Sequence, residues 1–346
     1  MRLSPRKSEC VMKTSFKGLL PLLLLALPAV MQAQFNYMDN GDGTATITEY
    51  TGAGGAVIIP GTVLIDGLIL SVTSIGDEAF QGCSRLTSVT ITNGVTWIGD
   101  GAFLGCAGLT KVTMANSITN IGKAAFTYCA SLASITLPNS VTSIGAGEFG
   151  YCGNLTSVTI PNSVTSIGDE AFNSCANLVG VTIPDSVTSI GVAAFEYCVN
   201  LGSVTIPSHV TRIGDNVFSG CTSLKGVYFK GSAPTPSMCM FSGVSNTTLY
   251  YLPDTTGWYT PFGGRPALLW NPQVQTSGAS FGMRMNRFGF TITGTPDIPV
   301  VVETCTSLAN STWFPVGTNT LTGGSSYFSD PQWGIAPRRF YRLRSP

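Results

Sequence analysis

The sequence predicts a mainly β fold. It should be a solenoid of 23-residue coils with a parallel sheet and short helical turns, followed by a small antiparallel β-sandwich-like domain. Three observations carry this. Phenylalanine recurs in steps of 23 at Phe80, Phe103, Phe126, Phe149, Phe172, Phe195 and Phe218. Cysteine (Cys83 to Cys221) and leucine (Leu86 to Leu224) follow with the same period and no insertion. From about Asn271 the period is gone, and short β-rich runs separated by Gly, Pro, Asn and Ser replace it. A unit of roughly 20–29 residues built on Leu-x-x-Val-x-Ile is the pattern of a leucine-rich solenoid.

The elements follow in order. Residues 1–33 read as a secretory signal: Arg2, Arg6, Lys7, Lys13 and Lys17 precede the apolar run Leu19–Val30, and Ala33 offers a cleavage site. That run is too short for a membrane span of about 20 residues. No later segment reaches that length, so a membrane span is not expected after signal removal. Residues 34–71 should form an N-terminal cap, with strands at Thr44–Tyr50 and Ala56–Ile59 between the turn signals Asp42-Gly43 and Gly54-Gly55.

Residues 72–230 hold seven copies. In Leu155-Thr-Ser-Val158-Thr-Ile160 the apolar side chains alternate, so this piece reads as a strand, which Pro161 ends. Val164-Thr-Ser-Ile167 is a second extended piece, and Asp169–Phe172 is expected to make one helical turn. Stacked about 4.8 Å apart, such coils align Leu, Val, Ile, Phe and Cys inward, so a change such as Phe149→Ala removes one ring from the stack. Residues 231–270 read as a degenerate capping coil: Phe241 keeps the period, but Val244 replaces the ladder cysteine and the Ile-Gly pair is missing. Residues 271–346 should form the β domain, with strands near Phe288–Ile292, Pro299–Glu303, Trp313–Val316, Ser326–Phe328 and Arg339–Leu343.

The repeat Ile-Gly-x-x-Ala-Phe-x-x-Cys-x-x-Leu-x-x-Val-Thr-Ile-Pro-x-Ser-Val-Thr-x-Ile-Gly resembles the BspA-like family of bacterial leucine-rich repeats, from residue 72 to about 253. The resemblance implies a cell-surface or secreted protein, with adhesion to extracellular proteins or cells as the family's best-known role.

Composition excludes several functions. Only 10% of residues are charged and the formal net charge is zero, which argues against nucleic-acid binding. The zero is a sum of unlike parts: residues 34–230 hold six Lys/Arg against thirteen Asp/Glu, and residues 231–346 hold seven against four. A single histidine, His209, leaves little for a catalytic triad or a zinc site. It aligns with Ser140, Ser163 and Ser186 and reads as a turn residue. The segment Asp39–Thr44 faintly resembles a calcium loop but lacks the distant bidentate Glu, so a hairpin turn is favoured. The adjacent carboxylates Asp77-Glu78 and Asp169-Glu170 should cap their own helical turns. No enzyme activity, cofactor or metal is expected. The ladder cysteines read as buried thiols; Cys239 and Cys305 lie outside the ladder, with a bridge between them left open.

Two surfaces are candidate sites. The first is a strand-side file of hydroxyls, Thr90, Thr113, Thr136, Thr159, Thr182 and Thr205, followed by Tyr228, with Lys111, Ser134, Ser157 and Ser203 beside it. It would meet an extracellular protein or a glycan. A second file runs from Thr73 to Thr211 in the same steps, and either file could simply pair Thr with Thr across strands. The other candidate surface is the terminal strip Arg338, Arg339, Arg342 and Arg344, a docking strip for an acidic surface or merely the solvent face of a last strand. Recognition or adhesion is the leading function; a structural or spacer part of the envelope is the alternative.

Overall fold

The computed structural model describes residues 34–345 except 236, 238, 279, 286, 310, 311, 336 and 337. The signal expected at 1–33 lies outside the described residues.

Each coil contributes two strands. The first forms one face of the solenoid, from Gly55–Ile59 through Leu86–Ile91, Lys111–Met114, Ser134–Thr136, Ser157–Thr159, Gly180–Thr182, Ser203–Ile206 and Gly226–Phe229 to Thr248–Tyr251 and Ala267–Leu269. Its strands pair in three stretches, broken before Ser134–Thr136 and before Gly180–Thr182, and within each the pairing is parallel and in register: Ser134 meets Ser157, Thr182 meets Thr205, and Thr205 meets Tyr228. The segment 231–270 thus adds two rungs to the ladder. The second strand of each coil is a two-residue piece such as Ser166–Ile167, also paired in parallel with its neighbours.

Alternation explains the strand face. Val158 and Ile160 point inward and are buried, while Ser157 and Thr159 point out. Behind the strands the phenylalanines stack from Phe80 to Phe241, with ring centroids 4.7–5.9 Å apart. All seven repeat phenylalanines have zero solvent exposure.

The third side of each coil differs from expectation. Asp77–Phe80 and its equivalents make hydrogen-bonded turns rather than helical turns. Glu170 and Ser174 have φ of 55° and 58°, in the left-handed region that breaks a right-handed helix. The backbone instead points its N–H groups at the next coil: Glu78, Phe80 and Gly82 donate to the carbonyls of Asp100, Ala102 and Leu104. The carboxylates cap across coils, not within them. Asp77 Oδ1 accepts from the Asp100 amide at 2.8 Å, and Asp169 Oδ1 from the Val192 amide at 2.7 Å.

The cysteine ladder has a defined role. Each thiol from Cys106 to Cys221 donates to the carbonyl of the phenylalanine one coil earlier, at 3.0–3.3 Å. Cys83 is half-buried and the other six are buried, all as free thiols. Burial pushes Cys106, Cys152 and Cys221 up to about 12, so the nucleophilic thiolate is suppressed. Cys239 is exposed and Cys305 buried, and both are free. Among the described thiols, iodoacetamide on the native protein is therefore expected to modify Cys239 and, more slowly, Cys83. The six buried ladder thiols should react only after denaturation, as mass spectrometry of the labelled peptides would show.

At the N-terminus, strands Phe35–Asp39, Thr44–Tyr50, Thr62–Ile65 and Leu68–Ile75 close the end of the stack. The Asp39–Thr44 segment is a hairpin turn: Asp39 Oδ1 accepts from the Gly41 amide and Asp42 Oδ1 from the Thr44 amide. Beyond the solenoid the sheets are antiparallel. Gln273–Gln275, Gly282–Arg284 and Ser325–Ser329 pair around Arg287–Thr293. Pro299–Cys305 pairs with Phe314–Thr320 on one side and Phe340–Arg344 on the other. Their core, with Phe290, Ile292, Val300, Val302 and Phe328, packs onto Tyr228 and Tyr250 of the solenoid face.

Candidate recognition face and its closing cleft

The two threonine files have different fates. In the second file the hydroxyls of Thr96, Thr119, Thr165 and Thr188 each donate to the carbonyl of the threonine one coil earlier, at 3.2–3.3 Å. They are part of the coil-to-coil bonding. In the first file Thr90, Thr113, Thr136, Thr159 and Thr182 are exposed. Among the described residues no hydrogen-bond partner engages their hydroxyls, nor those of Ser134 and Ser157. This face therefore presents open donors and acceptors at every coil, with Lys111 exposed among them.

At the C-terminal end the face is no longer open. Ser203 and Thr205 are half-buried, and the Thr205 hydroxyl lies 3.3 Å from that of Ser345. Tyr228, expected to continue the exposed file, is 5% exposed. The antiparallel domain covers it, and its ring stacks on Tyr250 at 4.8 Å. Burial raises the Tyr228 hydroxyl above its ordinary range. Tyr228 therefore serves the junction, not an open surface.

The terminal arginines do not form one strip. Arg338 is exposed. Arg339 turns inward: its Nε lies 3.0 Å from Asp330 Oδ2, with side-chain exposures of 6% and 0%. Asp330 also accepts from the Tyr341 hydroxyl at 2.7 Å. Arg339 is thus a buried structural ion pair, unavailable for docking. Arg342 and Arg344 alternate onto the other side of the terminal strand and share one carboxylate. Arg342 Nη2 is 2.7 Å from Glu303 Oε2, and Arg344 Nε donates to Glu303 Oε1. Burial alone would raise the Glu303 carboxyl, but hydrogen bonds and charge from Arg344 and Arg342 hold it below its usual value. Both arginines stay nearly half exposed, and the Arg342 guanidinium also sits 4.5 Å from the centroid of the Trp313 ring.

The structure brings parts of both candidate sets together. Ser157, Thr182, Ser203 and Thr205 on the solenoid line a cleft of about 820 Å³ whose opposite wall is Arg342, Leu343, Arg344 and Ser345. Lys230 also lines it and is 3.2 Å from Asp185. A narrower slot of about 200 Å³, lined by Tyr228, Tyr250 and Trp270, opens from the same residues. Further along, a groove of about 670 Å³ follows Lys111, Thr113, Ser134 and Thr136. Arg338, Thr90 and the buried Arg339 take no part in the cleft. Sequence reasoning missed Lys230, Tyr250 and Trp270. The signal for Lys230 was present: it stands where earlier copies have Pro161, Pro184 and Pro207.

A family model described as BspA type leucine rich repeat region matches in two stretches, residues 68–179 and 142–257, which together span more than half of the chain. The chain belongs to the BspA-type leucine-rich-repeat family. Among solved structures it is similar to a leucine-rich-repeat protein of T. pallidum: 36% identity, TM-score 0.51, covering 56% of this chain and 88% of that one. It is also similar to a leucine-rich cell surface protein of Faecalibacterium prausnitzii, at 26% identity and TM-score 0.42, covering 64% and 88%. No curated protein sequence matches the chain. Among the described residues no helix is long and apolar enough to cross a membrane.

Proposed function

We propose that this protein is an exported, non-enzymatic recognition protein that binds an extracellular protein or glycan through the strand face of its solenoid. Export rests on the signal read at residues 1–33, and the cell-surface description of the F. prausnitzii relative agrees with it. The unit boundaries are those read from the sequence, with the repeats at 72–230 and the β domain at 271–346. One observation carries the reading: from Thr90 to Thr182 the first threonine file is unbonded and exposed, while four hydroxyls of the second donate to the coil before. A face needed only to hold coils together would engage both alike.

The test is capture from a mixture of extracellular proteins and glycans, comparing wild type with Thr136→Glu and Thr159→Glu. Both positions are exposed, so substitution should shift stability by less than about 0.5 kcal/mol. Each is expected to abolish capture with an unchanged melting curve. Capture that survives both changes would leave the spacer role as the better reading.

A further inference from the structure

Charge is segregated across this solenoid. None of the ten strands of the first face carries Asp or Glu. The acidic residues sit on the turns, as Asp77, Glu78, Asp100, Asp169, Glu170 and Glu196 do. Around the cleft the charged side chains are Lys230, Arg342 and Arg344, and no carboxylate is part of its lining. Glu303 lies behind the two arginines, only 6% exposed, and Asp185 pairs with Lys230 at 3.2 Å, so two carboxylates face three cations and a net positive charge remains. An otherwise acidic solenoid thus offers a face of hydroxyls that runs into a cationic cleft.

We propose that this cleft binds an acidic glycan, a polysaccharide bearing carboxylate or sulfate groups. The inference rests on the strand-face reading and names the ligand of that face. Three features favour a glycan over an acidic peptide. Ser157, Thr182 and Thr205 supply hydroxyls that match a sugar's own pattern of donors and acceptors. Thr182 and Thr205 stand in register on neighbouring coils, and stacked strands lie about 4.8 Å apart, which is of the order of one pyranose ring in an extended chain. The adjoining slot adds the half-buried Trp270, and aromatic side chains offer an apolar body with a polar handle. Arg342 gives Nε and Nη2 to Glu303, and Arg344 gives Nε to Glu303 and Nη1 to the Ser345 carbonyl. Arg342 Nη1 and Arg344 Nη2 are left to donate to a carboxylate or sulfate, with Lys230, itself paired with Asp185, as a third charge. The chain would lie along the solenoid axis, acidic groups toward the terminal strand and ring hydroxyls toward the threonines.

The experiment is calorimetric titration of the full mature chain with four probes: a galacturonic acid hexasaccharide, a heparin-derived hexasaccharide, neutral cellohexaose and a hexaglutamate peptide. Binding of at least one acidic hexasaccharide is expected, weakening as salt is raised. Cellohexaose and hexaglutamate should bind at least about tenfold more weakly. Lys230→Gln and Thr182→Glu, both at exposed positions outside the Glu303 pairing, should each weaken binding about tenfold, the order of one charge-assisted hydrogen bond. The response to carboxylated against sulfated probe separates the two anion types. Binding of cellohexaose or hexaglutamate equal to the acidic sugars, no binding of either acidic sugar, or variants that bind like wild type would each overturn the proposal. If it falls while Thr136→Glu still abolishes capture of another partner, the strand-face reading stands without it. If capture also survives Thr136→Glu, both fall.

Discussion

Replacing Phe172 with alanine is expected to remove about 3–5 kcal/mol of stability. The ring has zero exposure and lies between Phe149 and Phe195, with centroids 5.5 and 5.3 Å away. Its loss forfeits apolar burial, opens a cavity the neighbouring coils cannot fill, and breaks two stacked contacts each of about 0.5–1.5 kcal/mol. In a solenoid each coil touches only its neighbours, so the effect should centre on the coils on either side. Urea denaturation should show the lower midpoint, and hydrogen exchange should rise first around residues 149–195. Tyr151→Ala is the control: that ring is 43% exposed, stacks among the described residues only on Tyr128, and should cost less than about 1 kcal/mol. A Phe172→Ala loss no larger than the control's would refute the inward phenylalanine stack.

What the sequence makes legible follows from what repeats. Phe172, Cys175 and Leu178 each serve an inward slot that recurs every 23 residues, so their burial was readable without coordinates. The five β runs after residue 271 were readable from their β-rich composition between Gly, Pro, Asn and Ser; the strands Gln273–Gln275 and Gly282–Arg284 were not, being short and largely exposed. The turn side was misread because Asp-Glu-Ala-Phe carries strong helix formers, and nothing in their identity announces the left-handed φ that coil-to-coil bonding imposes on Glu170. The candidate face was half legible. A threonine that bonds a neighbouring coil and one that faces solvent have the same sequence signature, and only the bond to a carbonyl 23 residues earlier separates Thr165 from Thr159. Tyr228 and Arg339 were placed outside because each looks amphipathic in its own strand. Their burial comes from contacts distant in sequence: the antiparallel core over Tyr228, and Asp330 beside Arg339.

Glu148→Gln should abolish a loss of stability that the wild type suffers between about pH 4.3 and pH 8. Glu148 occupies the slot held by Ala125 and Ala171 in the neighbouring copies and is fully buried. Its Oε2 accepts from the Gly145 amide at 2.6 Å, while Oε1 meets no hydrogen-bond partner among the described residues. In other copies the equivalent glycine amide bonds the isoleucine carbonyl one coil earlier, as Gly122 does with Ile98 and Gly168 with Ile144. The diversion at Gly145 coincides with a break in the second strand face, which has no ladder pairing between Asn120–Ile121 and Ser143–Ile144, its one gap among the described residues. Burial pushes the Glu148 carboxyl up to about 8. Below about pH 4.3 folded and unfolded chains are both protonated there, and the group is neutral in its effect. As pH rises the unfolded carboxyl ionises first while the folded one keeps its proton, so stability falls by roughly 1.4 kcal/mol per unit until about pH 8 and is level above. The total is about 4–5 kcal/mol at pH 8, and the isosteric amide should recover most of it there while changing little at pH 4. Glu148→Ala should restore the repeat's own residue and with it the Gly145 to Ile121 bond, giving slower amide exchange at Gly145. Denaturation midpoints measured from pH 4 to pH 9 decide the matter: wild type and Glu148→Gln running parallel across that range would show that this carboxyl does not govern the joint.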